Sequence, residues 1–268
     1  MERPIASAFG EQASAYRGYL DSPPGRLREE IAWRRVSCLI ERTWGSPPVS
    51  IKVLDVGCGT GELALRLATK GFQVVLLDAA KEMCSMAQRQ AETLCQSCAH
   101  PPRIVHGTVE EASTLFEAGS FDLILCHFLI EYLPDPSPAL AAIRRVARPG
   151  GLLSMISLNR WQEALRLAIR DHRFAKAQEA LTRTTSTDSL FGIQRRAFRR
   201  EDLKALLEDA DFEIEEEGGI SIFIDYLAKE AIDDPSSFAS LLNLEEEAGK
   251  HYPWKDVARY LHLFGRRA

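Results

Sequence analysis

Val53-Leu-Asp-Val-Gly-Cys-Gly-Thr-Gly-Glu62 is the stretch that decides the fold. The apolar run Ile51–Val56 reads as a short buried strand, three glycines follow at alternate positions, and a helix starts at Glu62 and stops at Gly71. Glycine turns a chain tightly after a strand and leaves no Cβ between backbone and ligand. A dinucleotide loop of the form G-x-G-x-x-G sets its third glycine one residue later. Here Glu62 follows Gly61 directly, where a carboxylate suits the start of a helix but repels a pyrophosphate. The loop Gly57, Cys58, Gly59, Gly61 therefore suits a ligand that lacks phosphates and carries positive charge. Asp55, at the end of the strand, can accept hydrogen bonds from loop amides or from a cationic ligand.

Outward from this point, Gln73–Leu77 is a second strand that ends at Asp78, 17 residues after Gly61. A carboxylate there reads a ribose diol through two accepted hydrogen bonds. Strands at Arg103–Val105, Phe121–Cys126 and Leu152–Ser157 alternate with helices at 81–95 and 137–147, with a turn at Arg148-Pro-Gly-Gly151. Such alternation predicts an α/β fold: a Rossmann-like, doubly wound, mostly parallel sheet with helices on both faces. Residues 1–48 read as an N-terminal helical cap, broken at Asp21–Gly25 and ended at Gly45-Ser-Pro-Pro48. Residues 49–268 read as the main domain. Residues 160–200 interrupt the rhythm as a helical insertion after strand five. A helix at Arg200–Asp209 precedes a predicted C-terminal antiparallel hairpin of about 212–216 and 220–226. Residues 227–268 read as helical up to a short apolar run at Tyr260–Phe264.

Of the 268 residues, 46% are apolar and 26% charged, which is globular usage and excludes a disordered or collagen-like chain. No apolar run approaches the ~18 residues that span a membrane, and the start MERPIASAFGEQ has no apolar signal core, so a cytoplasmic location is expected. The six cysteines are expected as free thiols. Cys95 and Cys98, with His100 and His106, lack a second ligand pair at zinc-site spacing, so no metal is expected. A net charge of −5 excludes a uniformly basic nucleic-acid binder. Charge is nevertheless uneven. Residues 160–200 hold ten Lys/Arg against four Asp/Glu, whereas 201–250 hold sixteen acids against three bases and read as a solvated helical face.

The glycine loop, Asp55 and Asp78 together resemble the class I S-adenosylmethionine-dependent methyltransferases over roughly residues 50–158. The resemblance implies that Gly57, Cys58 and Gly59 line the methionine part of S-adenosylmethionine and that Asp78 holds its ribose. It sets the adenine near Gly107-Thr-Val-Glu110, so that Thr108, Val109 and Glu110 become cofactor residues. The segment Cys126-His-Phe-Leu-Ile-Glu-Tyr-Leu-Pro-Asp-Pro136 then lies where cofactor meets acceptor. It offers His127, at the carboxyl end of a buried strand where α/β ligands bind, and Glu131.

Further stretches extend the likeness: Pro23-Pro-Gly-Arg-Leu-Arg28, Ser157-Leu-Asn159, Phe223-Ile-Asp-Tyr-Leu227 and Ala258-Arg-Tyr-Leu-His-Leu263. With these the chain is similar to the bacterial tRNA 5-carboxymethoxyuridine methyltransferase family, which methylates the carboxylate of a modified wobble uridine. Residues 160–200 depart from that pattern. The resemblance implies that Arg28 contacts the cofactor and that His127 lies beside cofactor and acceptor, as positioning group or base. It also implies that Arg195 or Arg196 faces the substrate. Arg199 and Arg200 extend that basic reservoir, and Trp161, Phe174, Phe191 and Phe198 offer faces for stacking a base. A carboxylate acceptor is already a nucleophile, whereas an amine or phenol needs a base. Three readings stand at this point: a tRNA methyltransferase, a small-molecule methyltransferase, and a cofactor-binding protein without catalysis.

Overall fold

The computed structural model describes residues 5–45, 50–228, 232 and 234–268. Its strands are β1 (Lys52–Val56), β2 (Gln73–Asp78), β3 (Arg103–His106), β4 (Phe121–His127), β5 (Ala147–Leu158), β6 (Thr185–Thr187), β7 (Gln194–Arg196), β8 (Phe212–Ile220) and β9 (Tyr260–Arg267). Val53 of β1 enters one apolar layer while Leu54 and Val56 enter the other; in β4, Leu123 and Leu125 oppose Ile124 and Cys126 in the same way. Strands buried on both faces need apolar residues at consecutive positions, which is why these segments read as runs. The described residues form a seven-stranded sheet of order β3-β2-β1-β4-β5-β9-β8, and β6 and β7 form a separate small ribbon.

Helices cover both faces. Helices α1 (Ile5–Glu11), α2 (Ala13–Asp21) and α3 (Pro23–Trp44) come first, followed by α4 (Glu62–Ala68), α5 (Lys81–Leu94), α6 (Ala112–Leu115) and α7 (Ser137–Val146). After β5 come α8 (Arg160–Leu165), a π turn at Arg166–Arg170, α9 (Phe174–Ala180), α10 (Arg200–Asp209), α11 (Pro235–Ala248) and α12 (Trp254–Val257). One apolar cluster joins α3, α4, α5 and α11 to the sheet, and another joins α7 and α10 to its other face. β1 pairs in parallel with both β2 and β4, so chain order reverses there and the carboxyl ends of these strands open a crevice. All six cysteines are free thiols. No helix among the described residues is long and apolar enough to cross a membrane.

Three local expectations are corrected. The break at Asp21–Gly25 shrinks to Ser22, whose side chain caps the amide of Gly25, and α3 begins at Pro23 because proline fits the first helical turn. The second breaker lies in part outside the described residues, as do Ser46, Pro47 and Pro48. The turn at Arg148–Gly151 lies inside β5 as a bulge: Phe121 pairs with Ala147, but Leu123 pairs with Leu152.

The antiparallel pair at the end of the chain is present, but its second strand is not 220–226. β8 runs on to Ile220, and β9 inserts antiparallel between β5 and β8. Ser221 adopts φ +62° and turns the chain out of the sheet, and Ile224–Tyr226 is a 3-10 turn. The apolar spacing of Ile220, Ile222 and Ile224 imitates a strand because all three are buried, yet their burial comes from packing under α11 and α12. The carboxylate of Glu245, fully buried on α11, accepts the amides of Ile222, Phe223 (2.8 Å) and Ile224 (2.8 Å). These donors would otherwise need a neighbouring strand. Asn159 donates to the carbonyls of Asp256 (2.8 Å) and Ala258 (2.7 Å), which brings the start of β9 to the end of β5.

Glu245→Ala strands three buried donors, so chemical denaturation is expected to show a loss of about 3 kcal/mol or more. Glu245→Gln keeps one acceptor oxygen and is expected to cost less.

Candidate functional site

The glycine loop is fastened to the end of β2. The amides of Gly57 and Cys58 both donate to the carbonyl of Leu77, at 2.8 and 3.1 Å. Asp78 accepts from the amide of Gly59 through one oxygen and from the amide of Ala80 through the other, both at 2.8 Å. Each carboxylate oxygen keeps acceptor capacity for a ligand hydroxyl. The turn demands glycine at Gly61: its φ is +84°, and a Cβ there would lie 2.5 Å from Leu76 Cδ2. Helix α2 roofs the loop. Arg17 donates to Glu62 (2.8 Å) and Gln90 (3.0 Å), Gln90 donates to the carbonyl of Thr60 (2.9 Å), and Tyr16 sits over Gly59.

A cavity of about 460 Å³ opens at the crevice between β1 and β4. Gly57, Gly59 and Asp78 line one end, with Thr108, Val109 and Glu110 from the loop after β3. The amide of Thr108 donates to Glu111 (2.7 Å), so Glu111 closes the turn and Glu110 faces the cavity. Arg28, His127 and Arg195 also line it. Asp55 and Gly61 lie behind the loop and Cys58 is turned from the cavity; none of the three lines it.

Arg196 is not brought in: its guanidinium donates to the carbonyl of Pro134. Arg199 is paired with Asp202 (2.7 Å) and Arg200 with Glu217 (2.9 Å), so neither belongs to the cavity. Among the aromatics of the insertion only Phe191 lines it; Phe198 is core, while Trp161 and Phe174 are exposed elsewhere.

Several lining residues are not marked as site residues by local sequence. Tyr16 and Tyr19 come from α2, Asp188 from the insertion, and Arg259 and Tyr260 from the start of β9. Arg28 is 4% exposed and lies 4.2 Å from the ring centroid of Phe128 and 5.0 Å from that of Tyr19. It donates to Glu29 (2.9 Å) and Tyr16 (3.3 Å), and its Nη1 has no partner among the described residues. Arg195 pairs with Asp188 at 2.7 Å, and Asp188 also accepts from Tyr132 (2.9 Å). Glu131 accepts from Ser157 (2.7 Å), while its second oxygen is buried without a partner. Arg259 is held by Asp225 at 3.0 Å.

The two ends differ electrostatically. Asp55 makes no hydrogen bond among the described residues, and burial pushes its carboxyl well above the usual range, helped by the negative charges of Asp78, Glu29 and Glu62. Burial also drives His127 down to about 3, with Arg28 adding to the effect, so this imidazole is neutral at physiological pH. Its Nε2 lies 2.8 Å from Ser154 Oγ.

Residues 54–155 match the model of a methyltransferase domain. The chain is 27% identical over 256 residues to the tRNA 5-carboxymethoxyuridine methyltransferase of Escherichia coli K12, covering 94% of this chain and 92% of that one. It is 34% identical over 122 residues to the ubiquinone biosynthesis O-methyltransferase of Xanthomonas axonopodis, covering 46% and 49%. Its fold matches a Thermotoga maritima SAM-dependent methyltransferase, described as a possible histamine N-methyltransferase, with a TM-score of 0.66, 16% identity and coverage of 99% and 100%.

A carboxylate held near other acids destabilises the ligand-free protein once ionised. Because its folded pKa is raised, Asp55 loses stability for the fold as the pH rises through that value. Asp55→Asn is therefore expected to raise the ligand-free unfolding midpoint at pH 7.5 by about 2–4 °C. The gap should close as the pH is lowered, which thermal scans between pH 5 and 8 measure.

Proposed function

We propose that this S-adenosylmethionine-dependent methyltransferase acts on the carboxylate of 5-carboxymethoxyuridine at the wobble position of tRNA. The residues at the cradle fit the cofactor. Asp78 lines the cavity and keeps acceptor capacity on both oxygens for a ribose diol, and the glycine loop leaves backbone open to the ligand. When bound, S-adenosylmethionine supplies a methyl group already activated by its positive sulfur. In this reading Gly57, Cys58, Gly59 and Gly61 form the loop around the methionine part, Asp78 accepts from the ribose hydroxyls, and Glu110 with Thr108 and Val109 borders the adenine. Arg28 has a free donor for the methionine carboxylate.

The observation that carries the acceptor assignment is the other end of the cavity. There a largely buried arginine, Arg195, stands with a histidine held neutral by burial. Arg195, braced by Asp188, suits an acceptor that arrives as an anion. Bound S-adenosylmethionine would supply its methyl group to an oxygen of that carboxylate, and no residue of this chain would need to take a proton. The chain's task is alignment and exclusion of water. Ala6 and Phe9 of α1 pack with Leu190 and Phe191 in the cavity lining, with the rings of Phe9 and Phe191 4.0 Å apart. The wobble nucleotide lies in a single-stranded loop, from which a base can be extruded at modest cost.

Similarity along nearly the whole chain supports tRNA. The ubiquinone-pathway relative, similar over about half of each chain, supports a small-molecule acceptor instead.

Transfer RNA that carries 5-carboxymethoxyuridine, purified from cells lacking the corresponding methyltransferase, decides between them. Incubation with the protein and S-adenosylmethionine is expected to yield a base-labile methyl ester, seen by nucleoside mass spectrometry. Binding of the cofactor without methylation of this tRNA would refute the assignment. An already ionised acceptor and a neutral His127 also predict kcat independent of pH between 6 and 8. An inflection near 6.5 that is lost in His127→Asn would instead mark a base.

A further inference from the structure

Behind His127, away from the cavity, lies a chain of polar side chains in an otherwise apolar core. Ser154 on β5 and His262 on β9 are both fully buried. Ser154 Oγ lies 2.8 Å from His127 Nε2 and 2.8 Å from His262 Nε2. His262 Nδ1 is buried and has no hydrogen-bond partner. Burial lowers the pKa of both rings, and each is neutral, with one N–H and one lone pair.

The position of every proton follows from what can be left unpaired. A hydroxyl has one proton. If Ser154 accepted from both rings, its own O–H would be buried without an acceptor, so it donates to one ring and accepts from the other. If it donated to His262, that ring would carry its proton on Nδ1, and a buried N–H would have no acceptor. Orphaned buried N–H groups are rare, whereas an unpaired lone pair is better tolerated. His262 therefore keeps its proton on Nε2 and donates to Ser154. Ser154 donates to His127 Nε2, and the proton of His127 is on Nδ1.

We infer that Ser154 and His262 are positioning residues that hold His127 in its Nδ1–H tautomer, so that it offers the cavity a neutral hydrogen-bond donor and not a base. His127 lines the cavity, and its Nδ1 makes no hydrogen bond among the described residues. A neutral N–H orients one oxygen of a carboxylate without the full charge of an imidazolium, which would weaken the attacking oxygen. It holds no lone pair on the cavity side, so this ring does not take a proton from a phenol or amine. The identity of the group that receives the N–H rests on the proposed carboxylate acceptor; the tautomer itself does not.

The test is two-bond proton–nitrogen correlation on the full chain with 15N-labelled histidine at pH 7, without ligand, with His127 assigned through His127→Asn. A protonated-type shift is expected for His127 Nδ1 and a bare-nitrogen shift for its Nε2, with the reverse for His262. The opposite pattern at either ring overturns the inference. In Ser154→Ala the lone pair of His127 Nε2 loses its donor while the proton stays on Nδ1, because a proton on Nε2 would be buried without an acceptor, so the Nε2 signal is expected to move to that of an unbonded bare nitrogen. The KM for carboxymethoxylated tRNA should rise by up to about 10-fold as the ring loses its anchor, with kcat and cofactor affinity changed less than about 3-fold. An unchanged Nε2 signal in a folded Ser154→Ala also overturns it, and if that variant fails to fold, the wild-type spectrum alone decides. Failure of the wild type to methylate the tRNA would remove the carboxylate acceptor and leave the tautomer standing.

Discussion

The join between the ends of β1 and β2 is the interaction on which the rest depends. The carbonyl of Leu77 takes two loop amides, and the carboxylate of Asp78 takes a third at 2.8 Å. These bonds hold a backbone that turns left-handed at Gly57, Gly59 and Gly61 in succession. A left-handed residue costs roughly 1–2 kcal/mol when it carries a Cβ, so the loop is affordable only in glycine. The same bonds aim Asp78 into the crevice, and the roof of α2 rests on the loop through Arg17 and Tyr16. Were the join to loosen, the cradle and its cover would move together.

Charged residues of both signs line the cavity. Of the acids that raise the cost of ionising Asp55, only Asp78 lines it; Glu29 and Glu62 do not, and are paired with Arg28 and Arg17. Arg195 and Arg259 line it and are each braced by a buried aspartate, Asp188 and Asp225. His127, also in the lining, is neutral because burial and Arg28 both oppose its proton. The arginines favour an anionic ligand, and His127 adds no charge of its own.

What was readable in the chain follows from how local each feature is. The glycine loop, Asp78 and the strand ends are contiguous, and their spacing marked Gly57, Gly59 and Asp78; the family resemblance added Thr108–Glu110, and all of these line one cavity. The segment 220–226 misled because burial under α11 and α12 mimics the alternation of a strand; Ser221 and Glu245 override it, and Glu245 lies more than twenty residues away. Arg195 and Arg196 are neighbours in a two-stranded ribbon, so their side chains point to opposite sides, and only one reaches the cavity. Tyr16 and Tyr19 carry no mark in their own neighbourhoods, and Arg259 and Tyr260 lie in a stretch that extends the family likeness, Ala258–Leu263, without standing out there as ligand residues.

The amino-acid order by itself determined the parallel sheet, the cradle after the first strand and the kind of ligand it favours, because each rests on short-range rules of backbone sterics and apolar periodicity. Only the tertiary structure decided which residues close the far end of the cavity, where β9 inserts, and which nitrogen of His127 holds a proton. Those depend on contacts between segments as distant as Ser154 and His262, and a buried polar atom finds its partner, or lacks one, only when the whole chain has packed.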